Sequence, residues 1–315
     1  MDRPRYRLLF GGLLFGAIVL FCPLHLTVNA TFWYFVLDAA HVPLFATATW
    51  LVAASNPLGI VGDRARIVCA AILTLLAAIV IEILQPLTGR EESLTDLRNG
   101  TLGIALGVAF LWPASKPTAP WVWGCKWMAA AAFTLFALWP AWAQVRGLVW
   151  RRQHFPVLAD FESKSEMALW RIADIGEPDF NTVSAGRVMD WPSHGEHALI
   201  VHLAPGDWPG MRWEAGEQDW RGYQSLAFDI FNPVAPFDLE LRINDYFQPV
   251  SRGTCFQRSM IVERGWNHFR IPLSEIEHGS ELRTLDLSAI RKLIFFRDHP
   301  TDRTHFYLDY VRLER

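Results

Sequence analysis

The sequence predicts an α-helical membrane bundle of about five transmembrane helices, followed by an all-β sandwich or jelly-roll domain. Nearly all the long apolar runs of the 315-residue chain lie before residue 150, and most charged residues lie after it. From about Val157 onward, apolar residues recur at every second position, which is the spacing of half-buried strands. We therefore divide the chain into a membrane domain at 1–146, a linker at 147–156 and a β-domain at 157–315.

Five apolar segments come close to the roughly 20 residues that a helix needs to cross a bilayer. They are Leu8–Leu24, Thr31–Ala54, Ile67–Leu84, Leu97–Trp112 and Trp127–Val145. We interpret the first as a retained helix rather than a cleaved signal peptide, because no small-x-small cleavage motif follows it.

Lysine and arginine are biased to the loops on one side of these helices. They are Arg3, Arg5, Arg7, Arg64, Arg66, Lys116 and Lys126. Cytoplasmic loops are enriched in these residues, so that side is predicted to be cytoplasmic. Five crossings then place the β-domain outside the cytoplasmic membrane of a bacterial-type cell. Three arginines after the fifth helix oppose this orientation, and the β-domain becomes cytoplasmic if one weak helix does not span.

Net charge and cysteine content exclude some classes of function. The formal net charge is −3, which gives no indication of nucleic-acid binding. Cys255 is the one cysteine of the β-domain, so that domain cannot form an internal disulfide. The sequence has no Cys/His spacing typical of a zinc site.

Polar residues recur within the predicted membrane domain, where burial is costly and such residues usually have a function. Asp38 and His41 lie three residues apart, on one face of the second helix. Others follow around the next loop: Glu82, Gln85, Arg90, Ser93, Asp96 and Asn99. Under the predicted topology, all eight lie in the outer half of the membrane. Gly103 and Gly107 continue the face of Asn99 and predict the close approach of another helix.

This pattern resembles the VanZ-like family, which is named for a protein linked to glycopeptide-antibiotic resistance and whose activity is generally unassigned. The resemblance covers roughly the first four helices and lies in the blocks Asp38-x-x-His41, Glu82-x-x-Gln85 and Arg90-x-x-Ser93-x-x-Asp96-x-x-Asn99-x-x-x-Gly103. Two interpretations of the polar residues stay open. They form a pocket for a lipid-linked or cell-wall-related headgroup, or they form a hydrogen-bonded network that holds the helices together.

Catalysis in this pocket is a third interpretation, with His41, Glu82 and Asp96 as the groups that transfer protons. The sequence contains no nucleophile motif, metal-ligand cluster or phosphate-binding loop. Whether the protein is an enzyme therefore stays open.

The β-domain is predicted to contain seven short strands separated by glycine and proline turns. They are Ala198–Leu203, Leu226–Ile230, Leu239–Ile243, Ser259–Val262, Asn267–Ile271, Lys292–Phe296 and Phe306–Arg312. Helical turns are predicted only at Leu273–Glu277 and Leu287–Ile290. Five motifs resemble jelly-roll modules of the galactose-binding-like and carbohydrate-binding type. They are Asp160-Phe161-Glu162, Trp220-x-x-Tyr223-x-x-Leu226-x-Phe228-Asp229-Ile230, Gly265-Trp266-Asn267, Leu287-Ser288-x-Ile290 and Leu308-Asp309-Tyr310-Val311.

This second resemblance implies ligands for the β-domain. Candidate carbohydrate-binding residues are Trp208, Trp213, Arg242, Asp245 and Tyr246, because aromatic rings stack on sugars and polar groups bond their hydroxyls. Trp170, Trp220 and Trp266 are expected in the core. Such modules often hold a structural calcium, for which Asp160, Glu162 and Asp309 are the candidate ligands.

The resulting hypothesis is an envelope protein that lies in the lipid bilayer and recognises an envelope glycan or glycolipid, with both halves cooperating. Two other classes stay open: a membrane enzyme that modifies a lipid-linked intermediate, and a structural tether without a small ligand. An exposed apolar patch on the β-domain is the sign expected of a tether.

Overall fold

The computed structural model of the protein describes residues 30–84, 94–112, 120–173, 183–247 and 252–315. The chain divides into two compact units, with the boundary between Ala141 and Trp142. Helices form the first unit, and antiparallel sheets form most of the second. The predicted order of a helical half followed by a β-sandwich half is therefore confirmed.

Four long helices occupy the described part of the helical half. They are α1 (Ala30–Ser55), α2 (Asp63–Leu84), α3 (Leu94–Leu111) and α4 (Pro120–His154). They match the second to fifth predicted segments, whereas the first, Leu8–Leu24, lies outside the described residues. Two of the described helices are long and apolar enough to cross a membrane: α2 over Asp63–Ile81 and α4 over its full length. A bundle of five spans therefore stays a prediction.

Helix α4 covers most of the segment predicted as a linker. Within the second unit, its last turns pack against a short 3-10 helix, Glu166–Leu169. A Cβ on Gly147 would lie 2.8 Å from the carbonyl oxygen of Ser165 and 3.0 Å from the side chain of Leu169. Trp150 is buried, and its ring stacks on His154 with centroids 4.4 Å apart. Residues 147–154 are thus helical and packed rather than a free linker.

Helices α1 and α3 approach closely because α3 presents glycines to α1. A Cβ on Gly107 would lie 2.9 Å from the carbonyl oxygen of Ala46, and one on Gly103 would be closer still to that of Val42. One turn earlier, a Cβ on Gly100 would lie 3.2 Å from the ring of Phe45. The close approach predicted at Gly103 and Gly107 is confirmed, and its partner is α1.

The β-domain is a sandwich of two antiparallel sheets. Its strands are β1 (Val157–Ala159), β2 (Trp170–Ala173), β3 (Val183–Val188), β4 (Ala198–Leu203), β5 (Gly210–Gln218), β6 (Ser225–Asn232), β7 (Phe237–Asn244), β8 (Phe256–Val262), β9 (Gly265–Pro272), β10 (Ile290–Phe296) and β11 (Thr304–Glu314). The six-stranded sheet has the order β3-β4-β11-β6-β9, with β1 also paired to β11. The five-stranded sheet has the order β2-β5-β10-β7-β8. A short helix, α5 (Leu273–His278), follows β9.

Alternating apolar side chains fill the space between the two sheets. Phe228 and Ile230 of β6 and Leu239 and Leu241 of β7 are fully buried in one core cluster. All seven predicted strands are present, and α5 confirms the predicted helical turn at Leu273–Glu277. The helical turn predicted at Leu287–Ile290 is wrong, because the chain makes a hydrogen-bonded turn there and then enters β10.

A buried carboxyl group holds the turn that follows β1. Phe161 has a φ of 59°, a left-handed conformation that is unfavourable for a bulky residue. Glu166 accepts the backbone N–H groups of Asp160 and Phe161, both at 2.9 Å, and that of Ser163 at 2.7 Å. Burial raises the pKa of Glu166 to about 8, and the negative charge of Asp160 acts in the same direction.

Candidate functional site

A buried polar cluster joins α1 and α3 in the helical unit. Asp38, His41, Asp96 and Asn99 are all buried. The Nδ1 atom of His41 lies 3.6 Å from a carboxylate oxygen of Asp96 and 3.1 Å from the carbonyl oxygen of Asp38. Asn99 donates from Nδ2 to that same carbonyl oxygen at 3.0 Å. The structure therefore brings together four of the eight residues that were predicted to share a polar site.

Of the other four, Gln85, Arg90 and Ser93 lie outside the described residues, and the side chain of Glu82 is not described. On α3, Asn99 of this cluster lies one turn before Gly103, the glycine of α3 that approaches the backbone of α1 most closely. A buried imidazole beside a carboxylate is an arrangement that can bind a polar headgroup or hold a proton.

In the β-domain, the loop of residues 189–197 between β3 and β4 is held in place by two carboxylates. Asp309 accepts the backbone N–H groups of Ser193 at 2.7 Å and of His194 at 2.9 Å, together with the Ser193 hydroxyl at 3.1 Å. Glu162 accepts two further N–H groups of the loop, each at 2.8 Å. Burial raises the pKa of Asp309 to about 6, although these donors act in the opposite direction.

The same hydrogen bonds bear on the predicted calcium site. Asp160 also serves as an acceptor, because its Oδ1 atom takes the backbone N–H of Glu162 at 3.1 Å. Within the described parts of the chain, no three His, Cys, Asp or Glu side chains are arranged to hold a metal ion. Asp160, Glu162 and Asp309 thus each hold backbone N–H groups in this geometry. Calcium binding stays a prediction.

Four aromatic rings form a continuous surface on the outer side of the six-stranded sheet. Phe231 of β6 lies between its cross-strand partners, Trp266 of β9 and Tyr307 of β11. The ring centroids of these partners are 5.2 Å and 6.2 Å from that of Phe231. Trp191, carried by the anchored loop, stacks on Phe231 at 3.9 Å with the rings 12° apart. We call these four residues the aromatic face; Trp191 is 50% exposed and Trp266 is 40% exposed.

Polar groups border the aromatic face. The ring of His268 is parallel to that of Trp266, with centroids 6.0 Å apart. Its Nδ1 atom lies 2.7 Å from a carboxylate oxygen of Asp229, and Arg312 lies 3.9 Å from the other oxygen. Flat, exposed rings beside fixed donors and acceptors match a sugar ring, which has apolar C–H faces and a hydroxyl rim.

Two of the predicted carbohydrate-binding residues are not available to a ligand. Trp213 is 1% exposed, because β5 directs it into the core beside its cross-strand neighbour Leu293. The carboxylate of Asp245 is paired with Arg283 and also accepts the backbone N–H of Asp286 at 2.8 Å. The prediction of a ligand contact is therefore wrong for Trp213, and Asp245 has a structural role.

The other three predicted residues lie at the surface of the five-stranded sheet. Trp208 packs against Phe296, and the guanidinium of Arg242 lies 5.2 Å from the ring centroid of Phe296. Tyr246 follows β7 and is exposed, with the guanidinium of Arg291 5.4 Å from its ring centroid. These residues belong to the opposite sheet from the aromatic face.

The assignment of three tryptophans to the core is right for Trp170 and Trp220 and wrong for Trp266. The alternation of side chains along a strand could have shown that Trp266 faces outward. Trp266 lies an odd number of positions before Phe269, which packs against the core, so the two side chains point to opposite faces of the sheet. For Trp191 the sequence offers no comparable signal, since its position depends on a loop anchored by residues distant in the chain.

No protein-family model matches the chain, and no curated protein sequence matches it. Several solved structures are similar to its C-terminal part. A family 11 carbohydrate-binding module of a cellulosomal cellulase from Clostridium thermocellum is 19% identical, covers 50% of this chain and 92% of its own, and gives a TM-score of 0.39. A family 30 module from the same organism is 16% identical over 46% of this chain and 90% of its own, with a TM-score of 0.36. An exo-β-agarase is 16% identical over 50% of this chain and 25% of its own, with a TM-score of 0.39.

Proposed function

We propose that this protein lies in a membrane through its helical half and binds an envelope saccharide through the aromatic face of its β-domain. Support for membrane insertion comes from α2 and α4, whose apolar windows are only 22% and 17% buried. A core helix of a soluble protein hides its apolar side chains, whereas Ile72, Leu76, Trp127 and Trp139 are exposed here. In this proposal the membrane is the bacterial cytoplasmic membrane and the β-domain is extracytoplasmic.

The observation that carries saccharide binding is the stacking of Trp191, which is half exposed, on Phe231. Trp191 has a φ of 51°, a left-handed backbone conformation that is unfavourable for a bulky residue. The loop nevertheless holds Trp191 in this conformation, which places its ring on that of Phe231. Two carboxylates fix that loop, so the surface is formed before any ligand arrives. Preformed aromatic surfaces bind with a small entropy cost.

Alanine at Trp191 or Trp266 is expected to weaken oligosaccharide binding at least tenfold, which corresponds to about 1.4 kcal/mol. Each change removes a ring that contacts the sugar, while the core stays intact. We would titrate the full chain in detergent micelles with neutral hexose and N-acetylhexosamine oligosaccharides, and measure binding by calorimetry and by tryptophan fluorescence.

Trp208→Ala is the matched control, because it removes a tryptophan from the opposite sheet. The dissociation constant of the Trp208→Ala variant for these oligosaccharides is expected to stay within about twofold of that of the native protein. Saccharide binding that depends on Trp208 but not on Trp191 and Trp266 would contradict the aromatic face as the site. Failure of every oligosaccharide to bind would overturn the proposed function.

For the helical half, whose motifs resemble the VanZ-like family, we propose that the polar cluster recognises a lipid-linked headgroup. The proximity of His41 and Asp96, both buried, favours this second site. The rival enzyme would use the same groups for proton transfer. A Glu82→Gln variant separates the two, since binding should survive whereas proton transfer should fall by orders of magnitude.

His41→Ala is expected to weaken the binding of polyprenyl phosphate or diphosphate in lipid nanodiscs about tenfold, with a small change in melting temperature. Thr101→Ala, at an exposed hydroxyl of α3, is the matched control. A large fall in melting temperature, with no headgroup bound by the native protein, would indicate a purely structural network instead.

A further inference from the structure

The outer side of the five-stranded sheet concentrates positive charge. Its described cationic side chains are Arg171, Arg212, Arg242, Arg291 and Lys292, and its described carboxylates are Glu214, Asp238 and Glu240. Arg171 is the cross-strand partner of Arg212, and Ile294 separates Arg212 from Arg242 in the same row. Neighbouring strands lie about 4.8 Å apart, so the three arginines form a row across four strands. The whole chain has a net charge of −3, so this concentration is local.

Glu214 lies beside the row, two residues after Arg212 and opposite Lys292 on β10. One of its carboxylate oxygens is 3.8 Å from Nε of Arg212, and the other is 3.5 Å from Nζ of Lys292. Burial acts to raise the pKa of Glu214, but the charges of Lys292, Arg212, Arg171 and Arg291 lower it overall. Among the described residues, one carboxylate therefore faces four cations in this part of the surface.

Arg242 is fixed by its neighbours rather than free to extend into solvent. Its Nε and Nη2 atoms donate to the side-chain oxygen of Gln257 at 3.2 Å and 2.8 Å. Gln257 donates in turn to Glu240 at 3.0 Å. The guanidinium lies over Phe296, on which Trp208 also packs. A guanidinium held in one orientation can donate its remaining N–H groups to a carboxylate with little loss of side-chain entropy.

We propose that this surface, the cationic face, binds a carboxylate-bearing polysaccharide that runs across the strands. A guanidinium matches a carboxylate in geometry and charge, and a row of them matches a polymer with repeated acid groups. Cationic side chains that contact a lipid surface are usually extended and mobile. The half-buried cations of this sheet therefore suit a polysaccharide better than a lipid surface. Nucleic acids favour exposed rings between the cations, and none lies within the arginine row. The cationic and aromatic faces belong to different sheets, so either proposal can fail without the other.

The test uses the full chain in detergent micelles, with polygalacturonate as the probe. The native protein is expected to bind it, and to bind its neutral methyl ester at least tenfold more weakly. Combining Arg212→Gln with Arg242→Gln should weaken polygalacturonate binding at least tenfold, whereas the charge-matched pair Arg264→Gln and Arg303→Gln should change it by less than twofold. Higher salt should weaken the native interaction.

A gain-of-binding variant separates this result from a folding defect. Glu214→Gln removes the carboxylate that competes for the cations, so polygalacturonate should bind several-fold more tightly. Equal binding by the native protein and the Arg212→Gln, Arg242→Gln variant would overturn the proposal. Binding of anionic phospholipid vesicles or single-stranded DNA through these arginines, without polygalacturonate binding, would overturn it as well.

Discussion

Replacing Gly103 by alanine is expected to destabilise the helical unit by about 1–3 kcal/mol, the typical effect of overpacking. The added methyl group would collide with the backbone of α1 at the carbonyl oxygen of Val42. Backbone atoms cannot rotate away as a side chain can, so α1 and α3 must separate. The measurement is thermal unfolding of the detergent-solubilised protein, followed by circular dichroism at a helix wavelength.

Gly124→Ala is the control, because a Cβ on Gly124 would meet nothing within 4 Å. Alanine favours the helix over glycine by about 0.8–1.0 kcal/mol, so this variant should be neutral or slightly more stable. Equal melting temperatures for the two variants would mean that α1 and α3 are not in close contact at Gly103. The Gly103 variant should also weaken headgroup binding, because Asn99 lies one turn away and bonds to α1.

The helices and seven of the strands were predictable because each is a local pattern. An apolar run of about 20 residues indicates a helix whatever surrounds it, and alternation indicates a strand. The glycine spacing of α3 also has one physical consequence, which is close helix packing. By contrast, β1 and β2 are too short for alternation to be visible, and β3 carries the weakly patterned sequence Val-Ser-Ala-Gly-Arg-Val. Strand β5 was not predicted either, although Met211, Trp213 and Ala215 alternate along it.

The candidate sites were less predictable because they depend on long-range contacts. Asp309 was predicted as a calcium ligand from its position in a motif, but the loop residues that donate to it, Ser193 and His194, lie more than a hundred residues earlier in the chain. The position of Trp191 also depends on a residue distant in the chain, because its stacking partner Phe231 belongs to β6. Residue type and motif position marked Asp309 only as a candidate ligand, whereas the fold shows that it anchors the loop carrying the aromatic face.

Glu166→Ala is expected to destabilise the β-domain by about 3 kcal/mol or more, since it leaves three backbone N–H groups without their acceptor. Those groups hold the left-handed turn at Phe161, a fully buried core residue. The turn also receives Arg187, which donates to the carbonyl oxygen of Phe161. Loss of Glu166 should therefore loosen the start of the sandwich, measured as a lower midpoint in urea unfolding.

Glu166→Gln is the matched variant and should cost clearly less, because its amide oxygen keeps an acceptor in the same place. A comparison of this variant with the native protein also tests the titration of Glu166. The pKa of Glu166 is raised to about 8 in the folded state, so its contribution to stability is complete below about pH 4.5 and is lost as the pH rises through 8. The native protein should lose stability over that interval relative to the glutamine variant, which does not titrate. Parallel pH profiles for the two proteins would instead show that the three N–H donors keep Glu166 ionised, and that the loop is held by a charged carboxylate.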